Sequence, residues 1–317
     1  MGFATAGSGC SCNARTSALI AVCIISFVLV ALPQHAAPWV LWASRGVVSF
    51  PLGASLLCPF FVDAHAPVDA VFPWALLQFD NRVPPQLDGL VRNAAYAARH
   101  GYAHLFLNDS AELERMPAYW VKVELARRLL DAPDPANAAR RLYGGVMWLD
   151  MDAVVRDTSV SMEALWARAH VPSRATFVGA ADHPTPDGKP GAPFCAGVWA
   201  VRNTPTGRDL IAAWLGLFHP EEWTHVDKTV WRTDGEWAGP VYEQGAFSWG
   251  LLTQRGCDIA MLPWRTFASQ ETDDDQAFTL HYAGKHTELP GAVAVLEAQD
   301  AARAAAADAA QASRREQ

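Results

Sequence analysis

Between residues 71 and 286 the chain alternates short apolar runs with longer stretches in which apolar residues recur every third or fourth position. Short runs bounded by polar turns read as buried strands, and the longer periodic stretches read as helices. Residues 74–79 form the first short run, stopped by Asp80 and Asn81, a strand and its turn. Residues 86–99 follow, with Leu87, Leu90, Val91, Ala94, Ala95 and Ala98 at helical spacing and Gly101 placed to cap the C-terminus. The same reading predicts strands over 103–107, 142–149, 175–180 and 197–201, and helices over 119–130 and 205–218. Such alternation predicts an α/β domain with a mainly parallel central sheet flanked by helices, its ligand at the carboxyl ends of the strands. The alanine-rich tail from Gly291 reads as a frayed helix, and no internal repeat is evident.

The run over 146–155 delivers two carboxylates, Asp150 and Asp152, to such a strand end. In an extended chain, residues i and i+2 project to the same side, so both can converge on one cation. Two hard oxygen ligands with no cysteine nearby suit magnesium or manganese rather than zinc, and these ions commonly bridge a protein to nucleotide phosphates. A nucleotide-dependent transferase is the first expectation. An aspartate-rich turn after a buried strand is the plain alternative.

The N-terminal region has a different pattern. No Lys, Arg, Asp or Glu occurs between Arg15 and Arg45, and residues 18–32 are the densest apolar segment. As a helix that core is about 22 Å long, so crossing a bilayer needs help from interfacial residues such as Trp39. A cleaved signal peptide is the rival reading, because small residues including Ala36 and Ala37 follow. The uncleaved anchor is preferred, since seventeen residues precede the apolar core and no basic leader is evident. The expected organisation is a short cytosolic tail (1–16), a signal-anchor segment (17–44), a stem (45–70), a catalytic domain (71–290) and an alanine-rich tail (291–317). This corresponds to a single-pass type II protein of the Golgi or ER membrane with a luminal catalytic domain.

Composition narrows the partners. The 317 residues include 51% hydrophobic ones and 13 tryptophans, enough for a sizeable core. A net charge of -8 without a basic cluster argues against nucleic acid. It leaves a sugar nucleotide open, whose charge a metal ion can neutralise. Beyond the apolar segment stand Cys58, Cys195 and Cys257, which allow one disulfide and one free thiol in an oxidising lumen without fixing the pair.

Six segments together resemble the family 34 glycosyltransferases, α-galactosyl- and α-xylosyltransferases of GT-A fold in secretory membranes. They are NAAYAARHGY at 93–102, YWVK at 119–122, WLDMDA at 148–153, CAGVWAVRN at 195–203 with Trp214, EQGA at 243–246, and HYAG at 281–284. The resemblance implies that Asp150 and Asp152 form a DxD motif holding Mn2+ on the donor diphosphate, with Mg2+ as the alternative. It implies His281 as the third protein ligand of that metal. Glu243 and Gln244 would be the catalytic residues, and Gln244 would also face the donor sugar. Asp80, Asn81, Gly197, Gly284 and Lys285 would complete the donor site, with Lys285 adding positive charge at the β-phosphate. The partners implied are a nucleotide-sugar donor, a UDP-sugar before others, and a glycan or glycoprotein acceptor. Retention of configuration also comes only from the resemblance.

The chain departs from that family at three places. Glu243 supplies the acidic residue before glutamine with a side chain one carbon longer, Cys195 and Ala196 replace an asparagine before the strand glycine, and Lys285 replaces a cysteine. Donor identity therefore stays open. Lys122 reads as solvated or internally paired, with a donor contact as the alternative. Trp223, Trp231 and Trp237 lie in an irregular stretch before Glu243 and read as core or as rings on which a sugar acceptor stacks. The acidic run 273–275 reads as a solvated loop. Two other functions remain in view: a metal-dependent phosphohydrolase, or a catalytically silent carbohydrate-binding module on the same fold.

Overall fold

The computed structural model describes residues 68–82, 87–108, 110–185, 188 and 191–316. The expected cytosolic tail (1–16) and signal-anchor segment (17–44), and all but the end of the expected stem (45–70), lie outside them. Among the described residues no helix is long and apolar enough to cross a membrane. Strands β1 (Ala70–Phe72) and β2 (Ala75–Phe79) lead into helix α1 (Asp88–Arg99), β3 (Ala103–Leu107) and α2 (Ala118–Asp131). Next come β4 (Pro133–Asp134), β5 (Asn137–Tyr143), β6 (Gly145–Leu149), β7 (Ala153–Val155), α3 (Met162–Arg168), β8 (Phe177–Ala180), β9 (Val198–Arg202) and α4 (Pro205–Leu215). A hairpin of β10 (Thr224–Asp227) and β11 (Val230–Arg232) precedes α5 (Glu243–Ala246), α6 (Leu252–Gln254), β12 (Ile259–Leu262), α7 (Trp264–Phe267), β13 (Thr279–His281) and α8 (Leu289–Glu316).

The architecture is mixed α/β. Its main sheet has six strands in the order β12-β8-β9-β6-β2-β3. β3, β2 and β6 pair in parallel, as do β12 and β8, while β9 runs antiparallel to both of its neighbours. The expected mainly parallel sheet thus carries one reversed strand. The reason lies in the connection: β8 returns to β9 through a loop without a crossover helix, and a parallel neighbour requires a crossover.

Both faces of this sheet are covered. Trp148, Trp199, Val146 and Val201 enter one core with Trp120, Trp214 and Phe247, whereas Met147, Leu149, Val198 and Ala200 enter the other with Trp74, Tyr96 and Phe267. Strict alternation along β6 and β9 is the period-two signature of strands buried on both sides. Truncating one of the buried tryptophans to alanine should cost about 3–5 kcal/mol, lost transfer energy plus a cavity.

Three predicted elements change in detail. The segment 142–149 is two strands, because Gly144 breaks it: a Cβ there would lie 2.7 Å from the Pro73 carbonyl oxygen. Helix α1 forms where its period predicts, with Gly101 at φ 69° after it, but it buries a different face. Leu87 and Val91 are exposed, while Gly89, Arg92, Asn93, Tyr96 and Ala97 face inward. Arg92 donates to the carbonyls of Val155 and Arg156, and Asn93 donates to Ala153 O and accepts from Val155 N. The polar side chains win the buried face because short β7 leaves backbone groups that need partners. Finally, the C-terminal helix begins at Leu289, and its first turns bury Leu289, Ala292, Val293 and Leu296 against Val154, Leu280 and Tyr282.

Candidate active site

Two tertiary devices build the site around Asp150 and Asp152. β6 ends at Leu149, and Ala153 N donates to Asp150 O at 2.9 Å, closing a tight turn. The aspartates therefore converge across a turn and not along an extended strand, a correction to the sequence reading; reversal into β7 forces the turn. β7 then pairs antiparallel with β13, in a register that sets Ala153 opposite His281. Tyr282 N donates to Asp152 O at 2.9 Å and locks that register. His281 Nε2 consequently lies 3.3 Å from Asp152 Oδ1 and 3.9 Å from Asp150 Oδ2. One ligand atom from each of the three residues falls within 4.8 Å of the others, close enough to share one cation. Two carboxylates and an imidazole suit manganese better than magnesium, which prefers oxygen alone.

The ring of His281 passes directly over Gly197. A Cβ at Gly197 would sit 2.1 Å from the ring Cε1, so the glycine exists here to admit the imidazole. Gly197 O also accepts from Asp150 N at 2.8 Å, fixing the first aspartate to the β9 side. The other ring nitrogen, Nδ1, lies 3.3 Å from the sulfur of Cys195, which is buried and free, whereas Cys257 is disulfide-bonded. Once the ring is neutral, a proton kept on Nδ1 toward the sulfur would leave Nε2 as a ligand on the side of the carboxylates.

Lys122 is the internally paired residue of the two alternatives, and it is central. From the buried face of α2 its Nζ reaches Asp150 Oδ1 at 3.0 Å, Glu243 Oε1 at 3.3 Å and Ala196 O at 3.3 Å. Trp148 Nε1 donates to the same Asp150 oxygen at 2.6 Å. Trp148 and Asp150 share a side as strand parity predicts, which carries the carboxylate toward α2.

Glu243 and Gln244 open α5 beside this cluster. Glu243 is buried and is held by Lys122, while Gln244 Oε1 accepts from Ala196 N at 3.0 Å. Two core tryptophans tie down the backbone that presents them: Trp120 Nε1 donates to Val241 O and Trp214 Nε1 to Glu243 O. The helix continues through a π-turn at Phe247–Leu251, a distortion frequent near functional sites.

Charges in the cluster are strongly perturbed. Burial alone would raise the Asp152 carboxyl, but the hydrogen bond and charge of His281, with His286, bring it down to about 2. Burial would lower His281, yet the Cys195 sulfur and the Asp152 carboxylate facing its two nitrogens hold it well above its ordinary 6.5. For Lys122, too, burial is outweighed by Asp150 and Glu243, and its ammonium is held above the usual lysine range. Burial raises Glu243, with Lys122 opposing and Asp150 adding to the shift. Lys122 and the His281 imidazolium thus stand in for positive charge among three carboxylates. A divalent cation could take over that role once His281 loses its proton.

The remaining expected residues sit elsewhere. Asp80 is buried at the end of β2 and accepts from the Arg82 backbone and guanidinium. Asn81 is exposed beside it. Gly284 takes φ 70° in the turn after β13, where Lys285 N donates to Tyr282 O. Lys285 itself is exposed, and its Nζ donates to Gln270. The run 273–275 is only partly solvated: Asp274 is buried, accepting from Ser269 and Gln276 N. One site residue escaped the sequence reading. His286 Nδ1 lies 3.2 Å from Asp152 Oδ2, five positions beyond the third ligand, and nothing in its own segment signalled that contact.

No family model and no curated protein matches this sequence. Among solved structures it is similar to a glycosyltransferase involved in the glycosylation of the major capsid of PBCV-1. That similarity has a TM-score of 0.47 and 13% identity, covering 70% of this chain and 98% of the other. It is also similar to a mutant Drosophila β-1,4-galactosyltransferase 7 in complex with manganese, UDP-Gal and xylobiose, with a TM-score of 0.36 and 18% identity. There 67% of this chain and 71% of the other are covered. Likenesses this distant carry no functional argument.

Proposed function

We propose that this chain is a manganese-dependent glycosyltransferase of GT-A type, moving a hexose or pentose from a nucleotide sugar, a UDP-sugar before others, to a glycan or glycoprotein. The observation that carries the reading is the meeting of Asp150, Asp152 and His281 with Lys122, Glu243 and Gln244 at the end of a central strand. Asp150, Asp152 and His281 would hold the metal. When bound, a divalent cation acts as a Lewis acid on a diphosphate leaving group, the main need when a glycosyl-phosphate bond breaks.

The chain's own residues supply the rest. Lys122 occupies Asp150 Oδ1 together with Trp148, which leaves Oδ2 on the side of His281. With its carbonyl oxygen engaged by Ala196 N, Gln244 keeps its amide N–H groups for a sugar hydroxyl. Glu243 is engaged by Lys122, which favours an electrostatic role at the anomeric carbon over a covalent one. Same-face attack, in which the departing phosphate oxygen accepts the acceptor proton, is the retaining route that needs no further nucleophile. The anchor at 17–44 and a luminal Golgi or ER location complete the reading, and the disulfide at Cys257 fits an oxidising compartment.

A panel of UDP- and GDP-sugars with Mn2+ or Mg2+, assayed for transfer and donor hydrolysis, tests the activity. Metal-dependent turnover of at least one donor is expected, and it should disappear in the Asp150→Ala/Asp152→Ala double variant. Turnover that ignores both substitutions, or none with any donor, sinks the reading. Alkaline carbonate extraction and protease protection of sealed vesicles test the anchor and its orientation.

A further inference from the structure

Beside the charged cluster lies a group of rings that the transfer chemistry does not use. Tyr119 precedes Lys122 by three positions on α2, so the two share a helix face. Its ring meets Trp237 at 5.2 Å and Tyr242 at 5.1 Å between centroids, and Trp237 meets Tyr242 at 5.0 Å, all edge to face. Trp223 backs the group at 5.2 Å from Tyr242 and is buried, whereas Trp237 is 65% exposed, more than any other tryptophan among the described residues. Tyr242 directly precedes Glu243. Burial, Tyr242 and Glu243 raise the Tyr119 phenol, which places it within electrostatic reach of the site.

The exposed indole is held in place by its backbone. Ala238, next to it, takes φ 56°, a left-handed conformation that an alanine keeps only when its surroundings impose it. What imposes it is α5: a Cβ on Gly245 would sit 2.0 Å from Gly239 O and 2.3 Å from Ala238 O. The 238–239 corner is therefore packed onto the helix that starts with Glu243 and Gln244, and Trp237 keeps a fixed relation to that helix. A rigid, exposed indole next to a glycosyl-transfer centre matches the apolar C–H face of a pyranose ring. In the exposed sequence leading to it, Asp234 and Glu236 outnumber Arg232, and the chain carries a net charge of -8, which disfavours an anionic ligand.

We propose that Trp237, supported by Tyr119 and Tyr242, forms the acceptor subsite and stacks on a neutral sugar ring. The other two tryptophans weighed from sequence are structural: Trp223 is core, and Trp231 stacks on His225 while donating to Leu113 O. The substrate class rests on the transferase reading; sugar binding itself can be measured without it.

The test is calorimetric titration of the full chain, with Mn2+ and UDP present, using xylobiose, cellobiose, lactose and a uronate-containing disaccharide. At least one neutral disaccharide should bind, at least tenfold more weakly to Trp237→Ala and with partial recovery in Trp237→Phe; the uronate should not bind. Val226→Ala, on the exposed hairpin, serves as the surface control and should bind as wild type. In transfer assays Trp237→Ala should raise the acceptor KM at least tenfold while the donor KM moves less than twofold. Binding that is equal in wild type and Trp237→Ala, or no binding of any neutral disaccharide, overturns the subsite. Trp237-dependent binding without turnover of any donor leaves the subsite standing and sinks the transferase reading instead.

Discussion

The segment 149–156 is flanked by two buried polar clusters that differ in kind. On one side Arg92 and Asn93 bond chiefly to backbone groups of Ala153, Val155 and Arg156, partners that no ligand can replace, with Asp300 and Gln78 as their side-chain partners. On the other side Asp150, Asp152, Lys122, Glu243 and His281 bond chiefly to one another, charge to charge. Backbone partners make a fixed joint, because leaving either member unsatisfied costs its full desolvation. Charged side-chain partners are exchangeable, because a cation can take the place of the His281 proton while Lys122 stays paired to Glu243, so no buried group is orphaned. Buried polarity alone does not mark function here; the exchangeability of the partners does.

The largest effect expected from breaking this contrast is at Lys122, which serves both folding and chemistry. Lys122→Ala leaves the buried carboxylate of Glu243 uncompensated and should lower unfolding stability by about 3–5 kcal/mol. Adding Glu243→Gln to Lys122→Met should recover much of that loss in thermal denaturation, since no buried charge is then stranded. A Lys122→Ala protein as stable as wild type would show that water reaches Glu243 and that the cluster is less closed than its burial implies. Next in size are Asp150→Ala and Asp152→Ala. Each should remove about 2–4 kcal/mol of transition-state stabilisation, read as a loss of kcat/KM in the metal-dependent assay. The fixed joint should behave in the opposite way: Asn93→Ala orphans Val155 N and should cost about 1–3 kcal/mol of stability. Activity of the surviving Asn93→Ala fraction should stay near wild type, and a selective loss of activity there would erase the distinction between the two clusters.

The strands and helices that could be read from sequence were those whose pattern is local. Alternation along β6 and β9, and the glycine after α1, describe their own surroundings. The buried face of α1 was misread because its inward residues are an arginine and an asparagine, chosen by the backbone needs of β7, which lies some sixty positions away. The same limit applies to the site. Asp150 and Asp152 announce themselves through a short motif, whereas nothing near Lys122 or His286 in sequence tells of an aspartate across the fold. Those contacts are products of α2 packing on the sheet and of β13 pairing with β7. His281 was found only through resemblance, and the β7–β13 register supplies the physical reason it arrives.

The smallest predicted effect separates the exchangeable cluster from an ordinary ion pair by the sign of its pH dependence. In the metal-free protein Asp152 is lowered to about 2 from an ordinary 3.8, so its contribution to stability is present above the unfolded carboxylate range and fades as pH falls toward 2. His281 is raised above 6.5, so its contribution is full below that value and is lost as pH climbs through its folded value. Metal-free stability from this pair should therefore be greatest between about pH 4 and 6.5 and should decline on the alkaline side. Manganese affinity should run the other way, rising with pH from 6 to 8, because binding needs neutral imidazole and must displace the His281 proton that the Asp152 carboxylate stabilises. Calorimetry at pH 7 in buffers of different ionisation enthalpy should register close to one proton released per manganese bound, and in His281→Gln that release should vanish. Manganese binding that is independent of pH over this range would remove His281 from the ligand set and leave the two aspartates to bind alone.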